Sequence, residues 1–228
     1  AIEASQKHLI AEKLDWGKYA EAKELIKDIA YRRGLGGLLA EGVQNAAAKI
    51  GNNANVWAMH VKGLEISAYN CHAAPGMALA YGTSAVGAHH KDAWLISWEV
   101  HTDRGSYSEE KIGKIIEMQH IRGGVFESLT VCRFPSISLG LELQWYTRFL
   151  RAATGADFTW NTLSEVGERV WNLIRAFWIR EYGGFWSWKM DVPPARWFKE
   201  PLNEGPLKGA KLDFTKYNTM LQQYYRQR

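Results

Sequence analysis

Cysteine is almost missing from this chain. The 228 residues contain two, Cys71 and Cys132, too few for a disulfide framework, and a reducing, cytoplasmic setting is the expectation. Long apolar runs are missing as well: no stretch approaches the roughly 20 residues that a bilayer-spanning helix needs, so no membrane span is expected. Nor is there a run of Lys and Arg. With 28 basic against 24 acidic residues the formal charge is +4, which supplies no arm or stripe for a phosphate backbone and argues against nucleic-acid binding. A mild basic balance suits docking with an acidic protein, an electron carrier for example. Internal repeats, low-complexity tracts and a Cys/His/carboxylate set at metal-site spacing are also lacking. The opening Ala1–Gln6 has neither a start methionine nor a signal peptide. The final Tyr217–Arg228 reads as helix to its last residue, so the expectation is a piece of a longer polypeptide.

Tryptophan, in contrast, is abundant. The chain is 46% hydrophobic and 23% charged, ordinary for a soluble globular protein, yet it holds 11 Trp. Such an excess suits a protein that buries large surfaces, shields a bulky prosthetic group, or forms a subunit interface.

The hydrophobic periodicity predicts a mostly α fold. Ala20–Arg33 carries Ala22, Leu25, Ile26, Ile29 and Ala30 at helical spacing, and Gly34, Gly36 and Gly37 stop it. Leu38–Ile50 reads as a second helix ending at Gly51. Val56–Ile66 reads as extended. The small-residue stretch AAPGMALAYGTSAVGAHH predicts a helix entering at Pro75–Gly82 and a loop over Thr83–Gly87, with small side chains permitting close backbone approach. Ser108–Arg122 is a helix with Ser108 as cap, Glu109 and Glu110 in its first turn, and Gly123–Gly124 as its end. Helices are also expected over Leu139–Thr154, over Thr162–Trp178 (with a capping box at Thr162) and over Asp213–Arg228. Between the last two, residues 183–210 hold four of the six Pro, which predicts a long irregular segment of the kind that wraps something.

Few side chains on their own suggest chemistry. Cys132, in VCRF, reads either as a buried inert thiol or as a ligand. Glu127 stands five residues earlier, an ordinary surface carboxylate by composition alone. His89-His90 follows a glycine-containing loop; one of the pair can act in proton transfer, because imidazole titrates near neutral pH. Tyr69 carries a phenol that can donate to a developing oxyanion, or it simply packs.

Taken together, the segments say more. GLGGLLAEG (Gly34–Gly42), MHVKGLEI, GMALAYGTSAVGAHH, ESLTVC (Glu127–Cys132), RWFKEPLNEGPLKGAKLD and LQQYYRQR occur in this order. The series resembles the aldehyde:ferredoxin oxidoreductase family of tungsten enzymes, the formaldehyde and aldehyde branches above all, over essentially the whole chain. The resemblance implies irregular helical domains matching the C-terminal part of that family, with residues 1–55 as the end of the middle helical domain and 56–228 as the C-terminal domain. It also implies a tungsten, or molybdenum, bis-pterin and a 4Fe–4S cluster. The activity implied is oxidation of a small aldehyde to a carboxylic acid, with electrons leaving through the cluster to ferredoxin or another iron–sulfur carrier.

Site residues follow from matched motifs. In the family a D-x-x-G-L-C element supplies a carboxylate to the pterin amines and the last thiolate of the cluster. Here Glu127 stands for the Asp, Thr130 for the Gly, Val131 for the Leu, and Cys132 keeps the ligand position. The family's T-S-x-x-G-A-x-H pattern selects His90 rather than His89 as the active-site histidine, and Tyr69 falls where the formaldehyde branch has its tyrosine. The C-x-x-C-x-x-x-C cluster motif, the second pterin-binding motif and the relatives' proposed catalytic Glu belong to a preceding portion, implied as a partner. An oligomer is compatible with all of this. Two other readings stay open at this stage: a tungsten benzoyl-CoA reductase-like subunit on the same scaffold, and a non-catalytic helical interaction module.

Overall fold

A computed structural model gives the fold and describes residues 1–67 and 69–228. It is mostly α, as the periodicity predicts. Helices cover Tyr19–Tyr31, Gly34–Leu39, Gly42–Ile50, Pro75–Thr83, Glu109–Gln119, Gln144–Thr154, Trp160–Glu181 and Phe214–Arg226, joined by shorter turns of helix. The only sheet among the described residues is a two-residue antiparallel pairing, His60–Val61 with Leu64–Glu65. Among the described residues no helix is long and apolar enough to cross a membrane.

The centre of the molecule is the helix Pro75–Thr83. All nine of its residues are buried, which explains why its sequence, PGMALAYGT, shows no polar face: a helix wrapped on every side needs none. Its two ends then become the problem, because free N–H and C=O groups cannot reach water. Each end is met by buried charge of the sign the helix dipole favours. At the N-terminus the Glu99 carboxylate accepts from the N–H of Gly76 (2.7 Å) and Met77 (2.9 Å), and Lys111 Nζ pairs with it at 2.9 Å. At the C-terminus Lys62 Nζ donates to the carbonyls of Gly82 (2.5 Å) and Ser84 (3.0 Å), and Arg175 Nη2 donates to that of Thr83 (2.7 Å). Asp191 balances those cations, 2.5 Å from Lys62 and 3.2 Å from Arg175. Burial holds the Lys62 ammonium down at about 8, against the opposing pull of Asp191, and pushes the Glu99 carboxyl up. Removing one member of such a pair leaves an uncompensated buried charge, so the helix and the loop it feeds are fixed from both ends.

Several boundaries differ from the expected ones, each for a local reason. Val56–Ile66 is not a continuous extended segment: Ala54–Trp57 forms a turn of helix, and Lys62 and Gly63, both with positive φ, make a two-residue hairpin turn. That turn is what carries Lys62 inward. Leu38–Ile50 is two helices, parted at Gly42 with φ +81°. Leu139–Thr154 likewise splits into Phe134–Leu139 and Gln144–Thr154 around Gly140. The long helix starts at Trp160, not Thr162, because Thr159 Oγ1 accepts from the Thr162 N–H at 3.2 Å. Ser108 occupies the expected cap position without a capping hydrogen bond.

The largest departure concerns Gly123–Gly124. These glycines do not end the Glu109–Gln119 helix; it widens into a π-turn, His120–Val125, and continues as Phe126–Ser128. The glycines serve packing. A Cβ on Gly124 would lie 2.2 Å from the carbonyl oxygen of Gly167, and one on Gly123 would lie 2.4 Å from the Trp171 ring. The helix Trp160–Glu181 thus crosses here backbone to backbone.

Candidate functional site

The site begins where the buried helix ends. After Thr83, Ser84 Oγ donates to Asp92 Oδ2 at 3.1 Å, and Gly87 turns the chain at φ +109°, where a Cβ would meet the Val61 carbonyl at 2.6 Å. His89 and His90 follow. His89 Nδ1 accepts from the Lys91 N–H at 2.9 Å, so its ring is committed to a local turn. His90 Nδ1 lies 2.7 Å from Ser67 Oγ. The His90 ring is walled by aromatics: Tyr69 at 5.4 Å between centroids, Trp94 at 5.1 Å edge-on, and the His89 ring stacked at 5.5 Å. Burial first, and the charge of Arg133 second, lower the His90 pKa.

The second half of the site is the turn after the π-widened helix. Val131 N donates to the Phe126 carbonyl and Thr130 N to that of Glu127, both at 3.1 Å, with Thr130 at φ +52°. That is a Schellman turn, whose left-handed position normally takes glycine. Thr130 occupies the place where the resembling motif has Gly, so the backbone requirement persists though the residue differs. Val131 packs against the small apolar cluster that contains Phe126, in keeping with the apolar contact that accompanies such a turn. Cys132 is the next residue, and its side chain is exposed. A β-branched residue in the left-handed region costs about 1 kcal/mol. Thr130→Gly is therefore expected to keep the turn and to raise stability by up to ~1 kcal/mol, the gain being reduced by the greater freedom of glycine in the unfolded chain. Chemical denaturation of the full-length protein measures it; a loss above 1 kcal/mol would show that the Thr130 side chain is needed.

The two halves meet at a cavity of about 550 Å³ whose walls include His90, Trp94, Arg122, Val131, Cys132 and Arg133. Of the residues selected from the sequence, His90, Val131 and Cys132 share this cavity. Tyr69 stands behind His90, against its ring and that of Trp94, 5.1 Å away. Glu127 is not on the cavity wall. It pairs with Lys91 at 2.7 Å and with Arg133, and the Lys91 hydrogen bond leads in holding its carboxyl below the usual range. Cys71 lies elsewhere, fully buried in the main core, where burial pushes its thiol far up and keeps it inert. Among the described residues no three His, Cys, Asp or Glu side chains converge as a metal-ligand set.

Arg122, Trp94 and Ser67 are missed by the sequence reading. Trp94 carries no signal beyond its bulk. Arg122 lies in the π-turn His120–Val125, and π-turns often mark functional sites. Arg133 has a visible signal, a basic residue directly after the selected cysteine.

Comparison with known proteins adds independent findings. Residues 1–228 match the family described as aldehyde ferredoxin oxidoreductase, domains 2 and 3. The chain is 33% identical over 218 residues to a tungsten-containing aldehyde ferredoxin oxidoreductase of Thermococcus kodakarensis, covering 93% of this chain and 34% of that protein. It is 35% identical over 208 residues to a protein of the same description from Pyrococcus horikoshii, covering 89% and 33%. An aliphatic sulfonate oxidoreductase, WOR-like subunit, of Pyrococcus furiosus is 27% identical over 224 residues, covering 93% and 32%. The chain thus spans about a third of the length of these relatives.

Proposed function

The chain belongs to the aldehyde ferredoxin oxidoreductase family, and from that premise we propose that it is the C-terminal part of a tungsten-pterin enzyme oxidising aldehydes to carboxylic acids. Electrons leave through a 4Fe–4S cluster to ferredoxin. Residues 1–55 close the middle helical domain and 56–228 form the C-terminal one. The observation that carries this reading is the meeting of an exposed Cys132 thiol and His90 in one cavity.

The residues present fit the groups the family implies. A cluster bound by four thiolates takes one from Cys132 and the others from the preceding portion of the enzyme. The same cavity has two arginines, each with a buried N–H that finds no acceptor among the described residues, Arg122 Nη1 and Arg133 Nε, a lining suited to anionic groups. When bound, the tungstopterin supplies the two-electron chemistry and the cluster the one-electron exit. This chain's own work is positional. Ser67 engages His90 Nδ1, which leaves Nε2 to exchange a proton at the aldehyde oxygen. Tyr69 and Trp94 pack on the imidazole and fix its plane, so Tyr69 acts on that oxygen through His90. The exposed Leu139, Phe149, Leu173 and Phe177 are apolar side chains available to the remainder of the enzyme.

Two expectations separate this reading from its rivals. The assembled enzyme reduces viologen with an aldehyde as donor; reduction of an aryl-CoA ring, or oxidation of an aliphatic sulfonate with aldehydes inert, would reassign the substrate. His90→Ala lowers kcat about 10²–10⁴-fold, the range for a proton-transfer group, while His89→Ala, whose ring serves a turn, costs less than about tenfold; equal losses would remove His90 from the chemistry. The pH dependence has a definite sign. Because burial first and Arg133 second lower the His90 pKa, the neutral ring persists to lower pH than in an ordinary histidine. The acid limb of activity should therefore lie on the acid side of the ordinary histidine range, and His90→Ala should abolish it.

A further inference from the structure

Arg122 comes from the π-turn and Arg133 directly follows Cys132, and the two line the same cavity. The charges around them can be matched. Lys91 pairs with Glu127 at 2.7 Å and lies 3.6 Å from Asp92; Arg133 shares Glu127 and donates from Nη2 to the Arg122 carbonyl at 3.4 Å. His89 and His90, also on the cavity wall, add no negative charge. The two carboxylates are therefore taken up by Lys91 and Arg133, and Arg122 has no carboxylate partner among the described residues. Arg122 Nη1 and Arg133 Nε are both buried without an acceptor among those residues. A buried N–H without an acceptor is costly, and on Arg122 it belongs to a guanidinium with no ion-pair partner among the described residues, beside a second such N–H on the Glu127-paired Arg133. The arrangement calls for an anion in the cavity.

We infer that Arg122 and Arg133 are the counter-charge of the iron–sulfur cluster held at Cys132, and that they set its reduction potential. This rests on the reading that Cys132 is a cluster ligand. A thiolate-bound cluster is anionic and gains one further negative charge when reduced. Cations and N–H donors beside it stabilise the reduced form and raise the potential. Removing one therefore lowers the potential without touching the ligand set.

The test is a potentiometric titration of the cluster's electron paramagnetic resonance signal in the assembled holoenzyme, with iron and tungsten measured on the same samples. Arg122→Gln is expected to keep both metals and to shift the oxidised-to-reduced balance about tenfold toward oxidised, ~59 mV downward for a one-electron couple. Arg122→Lys, which keeps the charge, is expected to recover most of that shift, and Arg133→Gln to shift in the same direction. An unchanged potential in Arg122→Gln with full iron overturns the inference. So does tungsten loss at unchanged cluster potential, which would assign the arginines to anionic groups of the pterin. If Arg122→Gln loses its iron, Arg122→Lys decides: iron retained near the native potential supports the counter-charge, and iron lost overturns it. A parent enzyme with no cluster signal at all refutes the ligand reading itself, a result distinct from an unmoved potential.

Discussion

Replacing Cys132 with Ala is expected to strip the iron–sulfur cluster from the assembled enzyme while the helices stay folded. The two halves of that expectation have separate causes. The fold does not depend on the thiol: the side chain is exposed, so its removal opens no core cavity. The turn that presents it is closed by backbone bonds from Thr130 and Val131, not by the sulfur. The cluster, in contrast, has no substitute here. The second cysteine is fully buried in the main core, and no other ligand set converges among the described residues. Loss of a supporting partner around a metal site already costs 10–100-fold in affinity or activity, so loss of a ligand should exceed that, with iron content and ferredoxin reduction falling together. The control is Cys71→Ala, which should keep its iron and lose stability instead, about 1–2 kcal/mol for a small buried side chain. Iron content at the parent level in Cys132→Ala would falsify the ligand role and, with it, the proposed electron path.

The contrast between those two cysteines also shows what the sequence makes legible. Nothing in VCRF by itself says that Cys132 is exposed, and a buried thiol is the commoner state. The resemblance to the family's D-x-x-G-L-C element picked it, and the structure shows a helix end whose left-handed position is followed by an apolar residue and then the thiol. The helices were readable wherever an apolar stripe faces a core, as in Glu109–Gln119 and Phe214–Arg226. Boundaries failed where glycine had two meanings. At Gly140 and Gly42 it breaks a helix; at Gly123 and Gly124 it lets another helix touch the backbone. Local sequence cannot distinguish these uses, because the deciding atoms, the carbonyl of Gly167 and the ring of Trp171, lie over forty positions away. The buried charges Lys62, Glu99, Lys111 and Asp191 read as surface residues by composition; they are inside because the central helix is wrapped completely and its ends demand them.

That glycine crossing carries a large expected stability effect. Gly124→Ala would put a methyl 2.2 Å from the Gly167 carbonyl oxygen and 2.5 Å from its Cα, and Gly167→Ala would put one 2.5 Å from the His120 carbonyl oxygen and 2.9 Å from Val125 Cγ2. Most of the obstructing atoms are backbone, so no rotamer change relieves the overlap and the two helices must move apart. Overpacking costs about 1–3 kcal/mol when side chains can adjust; here at least ~3 kcal/mol is expected from either substitution, against a few tenths to 1 kcal/mol gained by replacing a helical glycine. The internal control is Gly113→Ala in the preceding helix, where a Cβ meets nothing within 4 Å and the same change should stabilise by about 0.5–1 kcal/mol. Denaturation of the full-length protein should thus give opposite signs for one chemical change at positions 113 and 124. The crossing also aims the π-turn that holds Arg122, so Gly124→Ala should displace the cluster potential as well as the melting temperature. A Gly124→Ala protein as stable as its parent would mean that the helices do not meet there.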